Sequence, residues 1–224
     1  YQHYNLYKRN KINIIQFVFG PFQENTFVVS DDEGNVMVFD PGCYERFEEE
    51  ELKAYLSEKQ GKIRRLYNTH AHIDHVLGNA FVSNLIGTGL GLHELDVTTL
   101  QRVHQSAHLY GFEGYVPSPE PTFFVSHNEL LQVGAMEAQV LFTPGHSPGH
   151  VVYYFEKEGF VINGDVLFRG SFGRTDLPGG NMEDLKNSIY NVLFSLPDDT
   201  VVYCGHGPST TIGQEKKTNY ILQF

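Results

Sequence analysis

Apolar residues in this chain come in short runs separated by turn residues. Lys11 to Phe19, Asn25 to Ser30 and Val36 to Phe39 read as three strands, with Asp31-Asp32-Glu33-Gly34-Asn35 turning between the last two, so the chain opens as a β meander. The period then changes. Over Glu48 to Gln60, Leu52, Tyr55 and Leu56 fall on one helical face and Gly61 stops the helix. Ile63, Leu66 and Tyr67 read as a buried strand, and from Asp74 the positions Val76, Leu77, Ala80 and Phe81 take helical spacing. Leu92 to Tyr110 reads as a further helix, and Gly111 to Pro121, broken by glycine and proline, as an irregular loop long enough to lie over a pocket.

The second half repeats the plan, with strands near Glu129–Val133, Glu137–Thr143, His150–Phe155, Gly159–Asn163 and Thr200–Tyr203 and a helix over Glu183–Leu196. Strand runs segregated from a few helices predict an α+β fold, an αββα sandwich of two mixed sheets with helices on the outer faces. A length of 224 residues suits one domain spanning 1–224.

Chemistry concentrates in Thr69-His70-Ala71-His72-Ile73-Asp74-His75, on the turn from a strand to a helix. Residues two apart in an extended segment point the same way, so His70 and His72 share a side while Asp74 and His75 approach from another. Further ligand candidates each end a predicted strand: His146 after Thr143-Pro144-Gly145, Asp165 after Asn163-Gly164, and His206 after Cys204-Gly205. The count assigns His70, His72 and His146 to one metal and Asp74, His75 and His206 to a second, with Asp165 bridging both. Three protein ligands plus one shared carboxylate leave an open position at each ion, as in catalytic rather than structural sites. Two divalent ions are expected, zinc first, with iron or manganese as alternatives. A hydroxide held between two cations attacks activated acyl bonds, and Asp74 and Asp165 are the carboxylates assigned to that chemistry. Asp40, in Phe39-Asp40-Pro41-Gly42, either starts a turn or accepts the second ring N–H of a ligand histidine and fixes its tautomer. His104 and His108 lie four apart and read as a solvated helical pair, and His150 as a hydrogen-bonded structural residue.

Charge narrows the partners. A formal net charge of -11 and a pI near 5.4 oppose nucleic-acid binding. No apolar segment is long enough for a signal peptide or membrane span, and Cys43 and Cys204 do not make a disulfide framework, so a reducing cytoplasm is the expected setting. The pattern specifies no oligomeric state.

With THAHIDH at Thr69 to His75, His146, Asp165 and His206 in order, the chain resembles the metallo-β-lactamase superfamily over nearly its whole length. The resemblance implies the same seven metal ligands and matches the family's outer aspartate to Asp40. Metallo-β-lactamases of the best-known classes generally lack the bridging aspartate, and flavodiiron proteins place a glutamate where this chain has His72. The segment Gly164 to Gly180, with Gly205-His206-Gly207-Pro208, is similar to short relatives of glyoxalase II, the hydroxyacylglutathione hydrolases. That implies cleavage of a small thioester such as S-lactoylglutathione, with Arg174 either contacting an anionic part of the substrate or pairing with Asp176. Larger glyoxalase II enzymes bind glutathione with a basic helical extension, whereas here Pro208 to Phe224 follow the last ligand, so a different small thioester is an open expectation. Two alternatives stand beside it: a persulfide dioxygenase with one iron on His70, His146 and Asp165, and a non-catalytic metal-binding module.

Overall fold

Runs rich in β-branched and aromatic residues build two large sheets in the computed structural model, which describes residues 4–224; the first three positions of the expected domain lie outside the described residues. The first sheet has seven strands in chain order: β1 (Tyr4–Arg9), β2 (Ile12–Phe19), β3 (Glu24–Ser30), β4 (Val36–Phe39), β5 (Arg64–Tyr67), β6 (Leu90–Leu92) and β7 (Pro121–Phe124). The first four pair antiparallel, and β4 to β7 pair in parallel. Parallel neighbours need crossovers. These are α1 (Arg46–Ser57), then α2 (Ile73–Val76) with α3 (Asn79–Ile86), then α4 (Val97–Ser106).

The second sheet contains β8 (Leu130–Val133), β9 (Met136–Phe142), β10 (Val151–Phe155) and β11 (Phe160–Gly164). After the small hairpin β12 (Leu167–Phe168) and β13 (Ser171–Phe172) and helix α5 (Met182–Asn187), it is completed by β14 (Val201–Cys204) and β15 (Thr210–Thr211), and α6 (Ile212–Thr218) follows. Its spatial order is β15-β14-β11-β10-β9-β8, with β11 and β14 parallel.

The inner faces meet through Ile14, Phe27, Val29 and Phe39 from one sheet and Val140, Tyr153, Phe155 and Tyr203 from the other. On the outer face of the first sheet Val28, Val38 and Leu66 pack against Leu52 and Leu56 of α1 and Val82 of α3. On the outer face of the second, Val152, Val161 and Val202 pack against Leu185 of α5 and Ile212 of α6. The result is the αββα sandwich. Asp31 ties the layers at one end: its carboxylate accepts from the backbone N–H groups of Glu33 and Asn35, from Asn35 Nδ2, and from the Ala135 N–H in the β8–β9 turn at 2.9 Å. Burial alone would raise the Asp31 pKa, but these donors hold it below the ordinary carboxylate value.

Three expected elements differ. The helix read over Leu92–Tyr110 is interrupted: Leu92 ends β6, His93 Nδ1 accepts from the Leu95 N–H to start a short 3-10 turn, and the α-helix proper begins at Val97. The helix expected after Asp74 breaks at Leu77-Gly78, where a Cβ on Gly78 would stand 2.4 Å from Cys43 Sγ. The helix over Glu183–Leu196 is regular only to Asn187, then continues as a π turn and a 3-10 turn. Strands β1, β6, β7, β12, β13 and β15 are additional to those expected from the sequence.

Candidate metal centre

The site gathers at one end of both sheets, where five strands finish. Asp40 follows β4, His70 to His75 follow β5, His146 follows β9, Asp165 follows β11 and His206 follows β14. Strand ends present side chains from a rigid frame with little freedom left.

Asp40 begins the arrangement. It holds φ at 51°, in the left-handed region that short polar residues tolerate better than most. Its Oδ1 accepts from the Thr69 N–H at 2.7 Å, and its Oδ2 accepts from Thr69 Oγ1 at 2.6 Å and faces His75 Nδ1 at 3.0 Å. Because Thr69 donates its hydroxyl proton to Asp40, its oxygen is left to accept from His70 Nδ1, 2.9 Å away. His146 Nδ1 donates to the Arg174 carbonyl at 2.7 Å, and His206 Nδ1 to the Phe22 carbonyl at 3.0 Å. Four imidazoles are thereby held with their Nε2 atoms turned inward, as outer hydrogen bonds do around ligand histidines.

The structure brings all seven expected ligands together in the grouping proposed from the sequence. His70, His72 and His146 form one cluster and Asp74, His75 and His206 another, the candidate ligand atoms of each lying within 4.8 Å of one another. Asp165 stands between them: its Oδ2 is 3.8 Å from His70 Nε2, 3.2 Å from His75 Nε2, 3.4 Å from His146 Nε2 and 3.5 Å from His206 Nε2. Asp40 also lies within reach of His70 and His75, but its hydrogen bonds to Thr69 make it a support for them.

Electrostatics divide the two clusters. Burial, reinforced by neighbouring imidazoles, holds His70 well below the ordinary histidine pKa and His72 down to about 3, so both are neutral with lone pairs available. Burial also opposes charge on His75 and His206, but Asp165 and Asp74 overcome it, raising His75 well above the ordinary value and His206 to about 10. For the carboxylates burial pushes upward, and the facing imidazoles reverse it: Asp165 lies well below the ordinary range and Asp74 is lowered. His70 Nε2 and Asp165 Oδ1 are buried without a hydrogen-bond partner. A buried imidazole nitrogen and a buried carboxylate oxygen left without donors beside two clusters of ligand-type atoms are what bound divalent cations satisfy, so the residues fit two such ions.

Other histidines sort differently. His150 Nε2 accepts from the Asp165 N–H at 3.1 Å while its ring stacks on His70, so it supports the site from behind. His104 Nδ1 pairs with the Tyr115 hydroxyl at 2.9 Å and His108 is exposed, so neither joins a cluster. Arg174 lines the cavity with its side chain exposed and bound in two-pronged fashion to Asp176 at 2.6 and 2.8 Å.

Supporting residues passed over in the sequence do much of the positioning. Asn25 Nδ2 donates to the carbonyls of Cys204 and Gly207, each at 2.9 Å, and its N–H to the Gly205 carbonyl at 2.7 Å, gripping the His206 loop from the opposite sheet. Asp96, fully buried, accepts from the Ala71 N–H at 2.6 Å, the Gly149 N–H at 2.7 Å and Ser147 Oγ at 3.0 Å, joining the first histidine loop to that of His146. The run of buried polar residues Glu24-Asn25-Thr26 ahead of an apolar stretch was the available signal for the first; Asp96 had none. Gly205 is demanded by space, since a Cβ there would lie 2.1 Å from Asp165 Oδ1.

Above the cluster is a cavity of about 770 Å³. One wall is α4 with Tyr110, through Thr99, Arg102, Val103 and Ser106; the other carries Phe168, Phe172, Leu177 and Pro178. The loop expected to cover the pocket does not line it: Phe112 packs instead against Tyr44 and Phe22, bracing the wall.

Comparison with known proteins agrees with this geometry. Among curated relatives, the hydroxyacylglutathione hydrolase GloC of Haemophilus influenzae is 34% identical over 90% of this chain and 93% of its own length. Among solved structures, BLEG-1, titled a B3 metallo-β-lactamase, superposes with a TM-score of 0.84 at 36% identity, covering 93% of this chain and 99% of its own. TTHA1623, solved in a di-iron-bound form, gives 0.80 at 36% identity over 92% and 98%. The model of the metallo-β-lactamase superfamily matches residues 19–206, and with these relatives matching nearly end to end, the chain belongs to that superfamily.

Proposed function

We propose that the chain is a dinuclear metal-dependent hydrolase of thioesters, similar in action to hydroxyacylglutathione hydrolase. The observation that carries this reading is Asp165 Oδ2, which lies within 3.2–3.8 Å of ring nitrogens from both clusters. A single oxygen so placed suits a bridge, with His70, His72 and His146 on one side and Asp74, His75 and His206 on the other. Two divalent ions there, zinc by first assignment and iron or manganese as alternatives, would supply a water nucleophile at neutral pH and polarise the acyl carbonyl.

The chain itself orients and encloses. Asp40, through Thr69 and His75, and the carbonyls of Phe22 and Arg174 fix the imidazoles before substrate arrives, which is where pre-organisation acts. Asp74 Oδ2 faces the cavity 2.9 Å from His206 Nε2, so this carboxylate also orients that imidazole. The wall of Phe168, Phe172, Leu177 and Pro178 limits water on one side of the cavity. The acidic surface fits a small-molecule substrate better than nucleic acid, and a cytoplasmic setting belongs to the same reading. Among the described residues no helix is long and apolar enough to cross a membrane.

The test is a substrate panel on protein of measured metal content: S-lactoylglutathione, other acyl thioesters, a β-lactam, and glutathione persulfide with oxygen uptake. Thioester hydrolysis with two ions per chain is the expected result. One iron per chain with oxygen consumption, or β-lactam turnover without thioester turnover, overturns the reading.

A further inference from the structure

The cavity walls differ in kind, and among the described residues the arginine without an ion-pair partner there is not the one singled out from the sequence. Arg174 is neutralised by Asp176 through both of its bonded nitrogens. Arg102 has no ion-pair partner among the described residues, although it lines the same cavity. It projects from α4 with Thr99, Val103 and Ser106, a spacing that puts one face of the helix along the cavity. Opposite stand Phe168, Phe172, Leu177 and Pro178, where the one arginine, Arg174, is paired with Asp176.

An unpaired guanidinium beside an apolar enclosure recognises a carboxylate or phosphate, because Arg offers a planar fork of donors and is weakly hydrated. The metal cluster is the cavity floor, so a thioester carbonyl seated there sends its two substituents to different walls. We propose that Arg102 binds the anionic group of the substrate's thiol carrier, while the wall of Phe168 and Phe172 takes the acyl group. The acyl and thiol assignment rests on the thioester reading; the anion contact itself does not, and can be measured without turnover.

Binding is therefore measured with thioethers, which have no acyl bond to break, on the metal-loaded protein. S-hexylglutathione carries carboxylates, S-hexyl-coenzyme A carries phosphates, and N-acetyl-S-hexylcysteamine is neutral. Arg102→Met is expected to raise the Kd of at least one anionic ligand about tenfold and to leave the neutral ligand within about twofold. Arg102→Lys should recover part of the loss, and the wild-type preference should shrink at about 0.5 M salt. Whichever anionic ligand responds identifies carboxylate or phosphate as the group read. Unchanged Kd values in Arg102→Met, an equal loss for the neutral ligand, a loss in Arg174→Met in its place, or no binding of any thioether to the wild type would each overturn the proposal. Failure of every thioester in the panel to turn over, with the binding pattern intact, would remove the thioester reading and leave the Arg102 contact standing.

Discussion

Asn25 offers the sharpest test of how the site is held together. Its side chain is buried and spends both amide hydrogens on Cys204 and Gly207, the residues on either side of Gly205-His206. Replacing it by alanine removes two hydrogen bonds, each worth about 1 kcal/mol net, and leaves the buried Cys204 carbonyl without that donor at a further cost of about 1 kcal/mol, for a total near 3 kcal/mol. For a chain of this size that is a fall in Tm of roughly 6–12 °C. The released loop carries His206 alone among the ligands, so the loss should be uneven. Affinity for the ion assigned to Asp74, His75 and His206 should drop about 10–100-fold, as when outer hydrogen bonds around a metal site are cut. The ion assigned to His70, His72 and His146 should stay. Asn25→Asp is the stronger perturbation despite its matching shape, because it sets an acceptor against two carbonyl oxygens. Elemental analysis after dialysis and calorimetric melting read both quantities. If both variants melt within about 1 °C of the wild type and retain both ions, Asn25 does not position the loop and the two clusters are not separately supported.

Asp165→Ala should abolish turnover by removing the bridge, whereas His104→Ala, which loses only its contact with Tyr115, should stay within about twofold; equal rates in wild type and Asp165→Ala would refute the bridge. Gly205→Ala should lower metal content and activity together, since its methyl group would occupy space at Asp165 Oδ1; a fully loaded, active variant would contradict the packing. Asp31 contributes stability as a carboxylate. With its pKa held below the ordinary value of about 3.9, that contribution is complete above pH 4 and lost as pH falls through the lower folded value. The difference in urea midpoint between wild type and Asp31→Asn should accordingly shrink between pH 7 and pH 3, and a gap that stays constant would refute the carboxylate's role.

What local pattern determines, the sequence states directly. Ile12–Phe19 and Val36–Phe39 are short apolar runs buried on both faces, and Leu52, Tyr55 and Leu56 mark the one buried face of a helix, so each element is announced by its own residues. The ligand candidates were legible for a similar reason: His70 to His75 are adjacent in the chain, and His146, Asp165 and His206 each follow an apolar strand. Short strands were not, because β6 is three residues, Leu-Gly-Leu, and gains its place from pairing with β5 and β7. The break at His93 to Asp96 was hidden likewise, since Asp96 turns inward to bind loops 25 and 53 positions away.

Apart from Asp40 and His150, the groups that support the centre were decided by tertiary structure alone. Asn25 reaches Cys204 across 179 positions, and the carbonyls of Phe22 and Arg174 act through backbone atoms that every residue possesses. The Arg174–Asp176 pair, two positions apart, was one of the readings the sequence offered, whereas the placement of Arg102 on the cavity wall came only with the fold. A sequence fixes which groups can coordinate or donate and where apolar faces repeat. Which buried polar group meets which is fixed only when the two sheets close, because each such group must then find a partner in the packed interior or lose the hydrogen bonds it had in water.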